Sequence, residues 1–430
     1  MSDRIKINVL LIFMIYLYPI VFKGYPMLSY GLIYGVPTIY ILCNFKTIFN
    51  YFRKIYNYQG IIIYLWIILL YLSFLFPIIY NTNDFTYVNV VLALFRKFII
   101  IVFLCLILLK SHGIDNIMDR FMHYFSLTTS IYVVVTVLFI AFPILKDNWF
   151  QIVDLGHNAD NLFLNYGYTM RIGWEGFSGF RNTISCTLSV VFILYLKLSK
   201  YSKIQISNTE FIIIVLMSIM GNMFYGRIGI VASVGAALIS VFLYRKFNFR
   251  ILLRIIIVFV ISFLIIFIIK SYVPVIQEWY TWMSKPFINL VKTGHFNNYS
   301  TDMLLKKMIF MPEYSTFIHG DGRYTVANYS VGRYYMGTDS GFMRQILFWG
   351  IFPTVIIYLM WLKLIFSISK DYVLALMLLF ISILFEIKGE TYYEIIPLLL
   401  VFTFTNNIYK SKHNNITTNT LGELNEQLFS

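Results

Sequence analysis

Apolar runs of about 20 residues recur along most of this chain, and that is the length at which an α-helix crosses the hydrocarbon core of a bilayer. The pattern predicts an all-α polytopic membrane protein with about twelve transmembrane helices. They fall at roughly 7–22, 27–43, 60–80, 88–109, 125–145, 182–198, 210–225, 228–244, 252–270, 343–366, 371–386 and 392–408. Only 13% of the residues are charged, about half the usual globular share, and 59% are hydrophobic. The reading is one transmembrane helical domain over 1–410, with long connections at about 146–181 and 271–342. A polar, Asn- and Thr-rich tail at 411–430 is expected to be disordered. The first run follows Arg4 and Lys6 without a small-residue cleavage site, so it reads as a retained helix. No internal repeat is visible.

A net charge of +14 raises the possibility of nucleic-acid binding. The placement of the charges argues against it. Lys46, Arg53, Lys54, Lys110, Arg120, Lys197, Lys200, Lys203, Arg245, Lys246, Arg250, Arg254, Lys363 and Lys370 fall in alternate short connections, and Lys410 and Lys412 follow the final run. The other short connections hold Lys23, Arg227 and Lys388. This is the asymmetry of the positive-inside rule, with both termini cytoplasmic and both long loops outside. Chemistry in those loops has no direct access to cytoplasmic nucleotides. Cys43, Cys105 and Cys186 lie inside apolar runs with neither metal-ligand nor disulfide spacing, and read as buried packing residues.

Unusual charges gather on the outer side. In the first loop, MRIGWEGFSGFRNTIS (170–185) brackets Gly173, Gly176 and Gly179 with Arg171 and Arg181, and Asn182 is placed to cap the next helix. An ordinary turn-rich loop is the bland alternative. Gly226-Arg227 forms a very short outer turn before a helix of small residues (Gly229, Ala232, Ser233, Gly235, Ala236, Ala237) suited to close packing in lipid. Arg227 alone could simply reach lipid headgroups. The second loop ends in HGDGRYTVANYSVGRYYMGTDSG (319–341), which concentrates His319, Asp321, Arg323, Arg333 and Asp339 among tyrosines and glycines. Aromatic faces suit sugar rings, and arginine forks suit phosphate oxygens. Arg344 follows within the next apolar run. Arg96 and Lys97 interrupt the run 88–109. An ionisable residue inside a span is a functional hypothesis by default, with Glu386 as a possible counter-ion here.

At three of these places the chain resembles the bacterial O-antigen ligase and Wzy-type polysaccharide polymerase superfamily. Asp339-Ser340 is followed by nine residues and Gly350, the spacing of the ligase signature with Asp in place of its His. GRIGI (226–230) resembles the family's Ser-Arg-x-Gly helix start. RIGWEGFSGFRN (171–182) resembles its Arg–Gly–(Pro/Arg)-Asn element. The resemblance implies a polymerase of O-antigen or capsule repeat units in the bacterial cytoplasmic (inner) membrane. The donor would be a glycan on undecaprenyl diphosphate, and the acceptor a fresh lipid-linked repeat unit. A chain-length regulator and a flippase would be partners, alongside membrane lipid, with no nucleic acid.

For such chemistry, fixed cations must meet the negative charge that builds on a departing diphosphate. Arg227 is the leading candidate, followed by Arg171, Arg181, Arg323, Arg333, Arg344 and Arg96. Asp339, with His319 second, is the candidate base for the acceptor hydroxyl. An ordinary helix N-cap is the alternative for Asp339. The outer loops hold no Asp-x-Asp pair, so no metal and no other cofactor is expected. Two other functions stay open: a ligase, sharing fold and donor, and a repeat-unit flippase or transporter, which would show repeated halves and short loops.

Overall fold

The computed structural model describes residues 3–46, 59–113, 116–155, 171–177, 180–244, 302–326, 334–368 and 371–402, with scattered positions between 253 and 294. Helices dominate. α1 spans Asp3–Leu17, and α2 spans Pro26–Cys43 through a π-helical turn at Gly31–Gly35. α3 (Gln59–Ile79), α4 (Thr86–His112), α5 (Ile117–Ala141) and α6 (Pro143–Ile152) follow. A hairpin pairs Ile172 with Phe177 and Gly173 with Gly176. Then come α7 (Arg181–Leu198), α8 (Asn208–Tyr225), α9 (Arg227–Leu243), α10 (Tyr314–His319), α11 (Gly341–Trp349), α12 (Ile351–Ser367), α13 (Tyr372–Lys388) and α14 (Tyr392–Phe402).

Among the described residues, α2, α4, α5, α7 and α8 are long and apolar enough to cross a membrane. The chain is thus a predominantly helical membrane protein. The expected run 343–366 is not one helix. It breaks at Gly350, whose φ of 77° lies in the left-handed region that favours glycine. A Cβ there would strike the backbone of Ile318, so the break is also a close chain crossing. The segment before it, α11, has only nine residues. The expected span 125–145 begins earlier, at Ile117, and the loop after it opens with α6 and contains the hairpin. The expected span 252–270 has only scattered described positions, and the tail 411–430 lies outside the described residues.

α7 is the centre of the bundle. It packs against α5, α8, α9 and α13, and nearly all its side chains are buried. Two of its buried polar side chains bond inside the bundle: Thr187 donates to the Thr183 carbonyl at 2.9 Å, and Ser218 of α8 donates to Ser189 at 2.9 Å. Sequence signals set the helix ends. Ser207 caps α8 by accepting from the Glu210 amide at 3.1 Å, and Asp371 caps α13 by accepting from the Val373 amide at 3.0 Å. Asp371 also accepts from Ser199 and, at 3.0 Å, from Tyr244, which ties together one end of α7, α9 and α13. The opposite end of these helices carries Arg181, Arg227 and Lys388. Cys105 and Cys186 are buried as expected, but Cys43 is exposed, because the apolar side chains of α2 face away from the protein.

The small residues of α9 do allow close packing. A Cβ on Gly229 would collide with the side chains of Asn222 and Thr183. Gly229→Val is therefore expected to cost about 1–3 kcal/mol of stability through overpacking. Thermal unfolding of the detergent-purified protein checks this, and an unchanged midpoint would contradict the packing.

Candidate functional site

Arg227 opens α9 on a rigid seat. A Cβ on Gly226 would lie 2.7 Å from the Thr183 hydroxyl, so the turn rests directly on the first turn of α7. Asn222, at the end of α8, donates to the Gly229 carbonyl at 3.2 Å and to Ser233 at 2.9 Å. Three helices thus fix the backbone that carries Arg227. The side chain itself is half-buried, at the edge of the bundle.

Arg171 reaches the same end by another route. It precedes the hairpin with a φ of 63°, an uncommon conformation for a long side chain and one that surrounding structure must hold. The hairpin is anchored deeply. Trp174 donates its ring N–H to the Tyr18 carbonyl at 2.8 Å, and Trp149 donates to the Trp174 carbonyl at 2.8 Å. Gly173 lies so close to the Tyr132 hydroxyl that no side chain fits there. The hairpin can approach the bundle only because that position is glycine.

Asp339 sits just outside α11. The helix N-cap is Ser340, so the capping role expected as the alternative for Asp339 does not hold. The preceding Thr338 donates to the Met308 carbonyl at 2.7 Å and accepts from the Ser340 amide at 3.2 Å. On the other side, a Cβ on Gly341 would meet the Glu386 carboxylate and would lie 2.9 Å from Cα of Glu390. Asp339 is therefore pinned between two firm contacts. Among the described residues its carboxylate has no hydrogen-bond or ion-pair partner. Burial pushes the carboxyl above the usual aspartate range, while Lys388 and Arg171 pull it back.

These three segments meet around the start of α7. Gly226 rests on Thr183. Phe180, preceding Arg181, packs on Gly389, where a Cβ would lie 3.3 Å from its ring. Glu390, the residue after Gly389, in turn adjoins Gly341. The connection Gly389–Thr391 thus lies between the Arg227 turn and the Asp339 segment. It brings in a residue that sequence reading used only for topology: Lys388, half-buried, couples electrostatically to Asp339, Arg171 and Arg227. The signal was present in EIKGETYYE (386–394), which packs four ionisable residues other than tyrosine where two apolar runs meet.

The other candidates lie elsewhere. Arg344 is buried, not presented to a ligand. It pairs with Glu390 at 3.2 Å and lies over the rings of Tyr334 and Tyr324, at 3.5 and 4.2 Å from their centroids. Glu390 also accepts from Tyr324 and Gln345, and Gln345 accepts from Tyr87 at 2.8 Å. Arg181 turns inward to Glu175 at 3.3 Å and to the Leu17 carbonyl. Burial raises the Glu175 carboxyl, and Arg181 pulls it back. Arg181 lines a cavity with Lys97, Glu394, Tyr16 and Tyr18. Lys97 pairs with Glu394, and Arg96 lies 6.0 Å from the centroid of the Tyr34 ring. Glu386 is not the counter-ion of either residue. It accepts from the amide and hydroxyl of Thr391 and from Tyr358, each at 2.8 Å.

His319 and Asp339 sit at opposite ends of α11, about 13 Å apart along a helix of nine residues. The backbone at Gly320 packs on Phe348 and Gly350, at the helix's far end, and the His319 side chain is exposed. Arg323 is exposed and couples to Tyr335. Arg333 lies outside the described residues. Among the described residues no group of three or more His, Cys, Asp or Glu is placed to hold a metal ion.

What remains together is Arg171, Arg227, Lys388 and Asp339: three cations and one carboxylate, half-buried at one end of the bundle. Such a group can receive an anion and take a proton from a neighbouring hydroxyl. No family model, curated protein or solved structure matches the chain.

Proposed function

We propose that this protein polymerises lipid-linked oligosaccharide repeat units on the outer face of the bacterial cytoplasmic membrane. In this reading it is a lipid-diphosphate-dependent glycosyltransferase of the Wzy kind, with about twelve spans and both termini in the cytoplasm. The growing glycan leaves undecaprenyl diphosphate and joins a new lipid-linked repeat. The bond between the anomeric carbon and the diphosphate oxygen breaks. A bond from that carbon to the acceptor oxygen forms. The acceptor proton passes to Asp339, and the diphosphate departs with the electron pair. Arg227 and Arg171 offset the charge that builds on the leaving oxygen, in a half-buried setting where fixed cations act more strongly than in water.

The observation that supports this reading is the meeting of Arg171, Arg227 and Asp339. They come from segments far apart in the chain and share electrostatic contact through Lys388. These are the residues on which the three family resemblances rest. A chain-length regulator and a flippase would act beside such an enzyme.

The test is deletion of the gene in its host, with the surface glycan and its lipid-linked intermediates run on a gel. Single repeats at the surface without a ladder are the expected result. Long polymer stranded on the lipid carrier would instead mean a ligase. Repeats trapped on the cytoplasmic side would mean a flippase.

Asp339→Asn is expected to slow polymer formation by roughly 10²–10⁴-fold, the usual worth of a positioned base. The pH dependence follows from burial. Because its carboxyl is raised, Asp339 takes up a proton at a higher pH than an ordinary aspartate. Activity should therefore fall as pH is lowered through that raised value, and the acid limb should vanish in Asp339→Asn. A pH–rate profile with the same acid limb in both proteins would remove Asp339 from the role of base.

A further inference from the structure

A cavity of about 70 Å³ lies between the end of α1 and the faces of α4, α5, α7 and α14. Its wall is divided. The charged side chains Lys97, Arg181 and Glu394 come together at one end. Along α4, α7 and α14, apolar wall residues follow those charges by three to seven positions: Ile100 after Lys97, Leu188 after Arg181 and Leu398 after Glu394. At 1.5 Å per residue, that is a rise of about 5–10 Å away from the charges. With these three helices running inward, as the positive-inside asymmetry orders them, the charges sit at the outer end and the apolar wall below. The cavity also reaches the central helix. Between Asn182 and Leu196, Ser185 is the single residue of α7 that is not buried. Protein interiors close up where side chains can fill them, and ionisable groups among membrane helices typically face a cavity or a pathway.

The charges at the polar end are matched. Lys97 pairs with Glu394, and Arg181 pairs with Glu175 at 3.3 Å. Each cation also feels the other's carboxylate. Two cations against two carboxylates leave no net charge for a charged ligand to offset. Hydrogen-bonding capacity is not exhausted in the same way. A guanidinium has five N–H donors, and Arg181 spends one on Glu175 and one on the Leu17 carbonyl. An ammonium has three donors, and a carboxylate accepts about four bonds. An uncharged group that both accepts and donates, such as a hydroxyl, can join this end without opening either pair. Size sets the rest. One water needs about 10–15 Å³ of such space, so the cavity holds about five to seven water-sized groups. A phosphate-bearing head with its chain exceeds that, whereas a hydroxyl with about six carbons fills it. We infer that this cavity binds an uncharged amphiphile, its hydroxyl head against Lys97, Arg181 and Glu394 and its short alkyl chain toward Leu188 and Leu398. The site is independent of the reaction proposed above.

The test uses the full-length protein in lipid nanodiscs and hexanol carrying a diazirine on its chain. Light-driven adducts are mapped by peptide mass spectrometry. They are expected on α7 and α14, at or beside Ser185, Leu188 and Leu398, and excess hexanol should suppress them. Hexylammonium and hexanoate each bring an unmatched charge, and should need at least about tenfold higher concentration for the same suppression. Ser185→Leu fills the cavity and should cut the adduct yield at least about tenfold, while Val134→Leu, on the exposed face of α5, should leave it unchanged. Glu394→Gln leaves two cations against one carboxylate, so hexanoate should improve as a competitor at least about tenfold. Suppression by a monoacylglycerol as well as by hexanol would make the hydroxyl end of a membrane lipid the occupant; suppression by hexanol alone would make it a free short alcohol. Adducts confined to outward-facing positions such as Val134 and Leu138 would overturn the site, and the wild type alone decides this. Hexanoate or hexylammonium competing as well as hexanol would overturn the uncharged head. An unchanged ranking of competitors in Glu394→Gln would overturn the placing of that head at the ionic end.

Discussion

Arg227→Ala is expected to lower polymer formation by about 10²–10³-fold while leaving the protein folded. That range is the usual loss when one preorganised donor to a developing oxyanion is removed. The Arg227 turn is positioned by Gly226 on Thr183 and by Asn222 on Gly229 and Ser233, none of which involves the guanidinium. The side chain is half-buried where α9 begins, and its neighbours by charge include Arg171 and Lys388. Arg227→Lys should recover only part of the activity, because an ammonium keeps the charge but not the bidentate fork. The measurement is single-turnover transfer in membranes containing lipid-linked repeat units, with unfolding midpoints recorded in parallel. A variant with wild-type turnover would take Arg227 out of the reaction and leave it as a headgroup-facing cation.

Much of the scaffold was legible in the sequence because hydrophobic length and periodicity are local properties. The runs that became α4, α7, α8 and α9 are bounded to within a few residues by Thr, Asn, Gly and Lys at their ends. Gly350 misled the reading. One glycine inside a long apolar run does not announce whether its backbone will be helical or left-handed, and here the crossing by Ile318 decides it. The site was legible in part. Arg171, Arg227 and Asp339 stand at segment boundaries, where a charge beside glycine is conspicuous. Arg181 and Arg344 stand at similar boundaries and look no different in sequence. Their partners, Glu175 and Glu390, are six and forty-six positions away, and only packing shows that each arginine turns toward its acid. Lys388 was hidden for the opposite reason. It looked like a routine connection cation, and its neighbours come from residues more than forty positions away.

The pairing of Arg344 with Glu390 carries the largest stability prediction. Glu390 is fully buried and Arg344 nearly so, with side-chain exposures of 0% and 7%. Replacing Glu390 by alanine would leave the guanidinium facing two tyrosine rings with no counter-charge, and would strip Tyr324 and Gln345 of their acceptor. Removing one partner of a buried pair costs about 3–5 kcal/mol, mostly the penalty of the orphaned charge. Glu390→Ala should therefore be destabilised by that amount in denaturant or thermal unfolding of the purified protein. Because the orphan is the problem, Arg344→Met combined with Glu390→Ala should be less damaging than the sum of the two single changes. Strict additivity in that cycle would show that the two side chains do not act as a pair. The same cycle bears on catalysis. Glu390 supports Gly341, and Gly341 sets the start of the helix behind Asp339. A folded Glu390→Ala protein should thus lose turnover beyond its loss of stability, since an acid displaced by about 1 Å is enough to cost 10²-fold in rate.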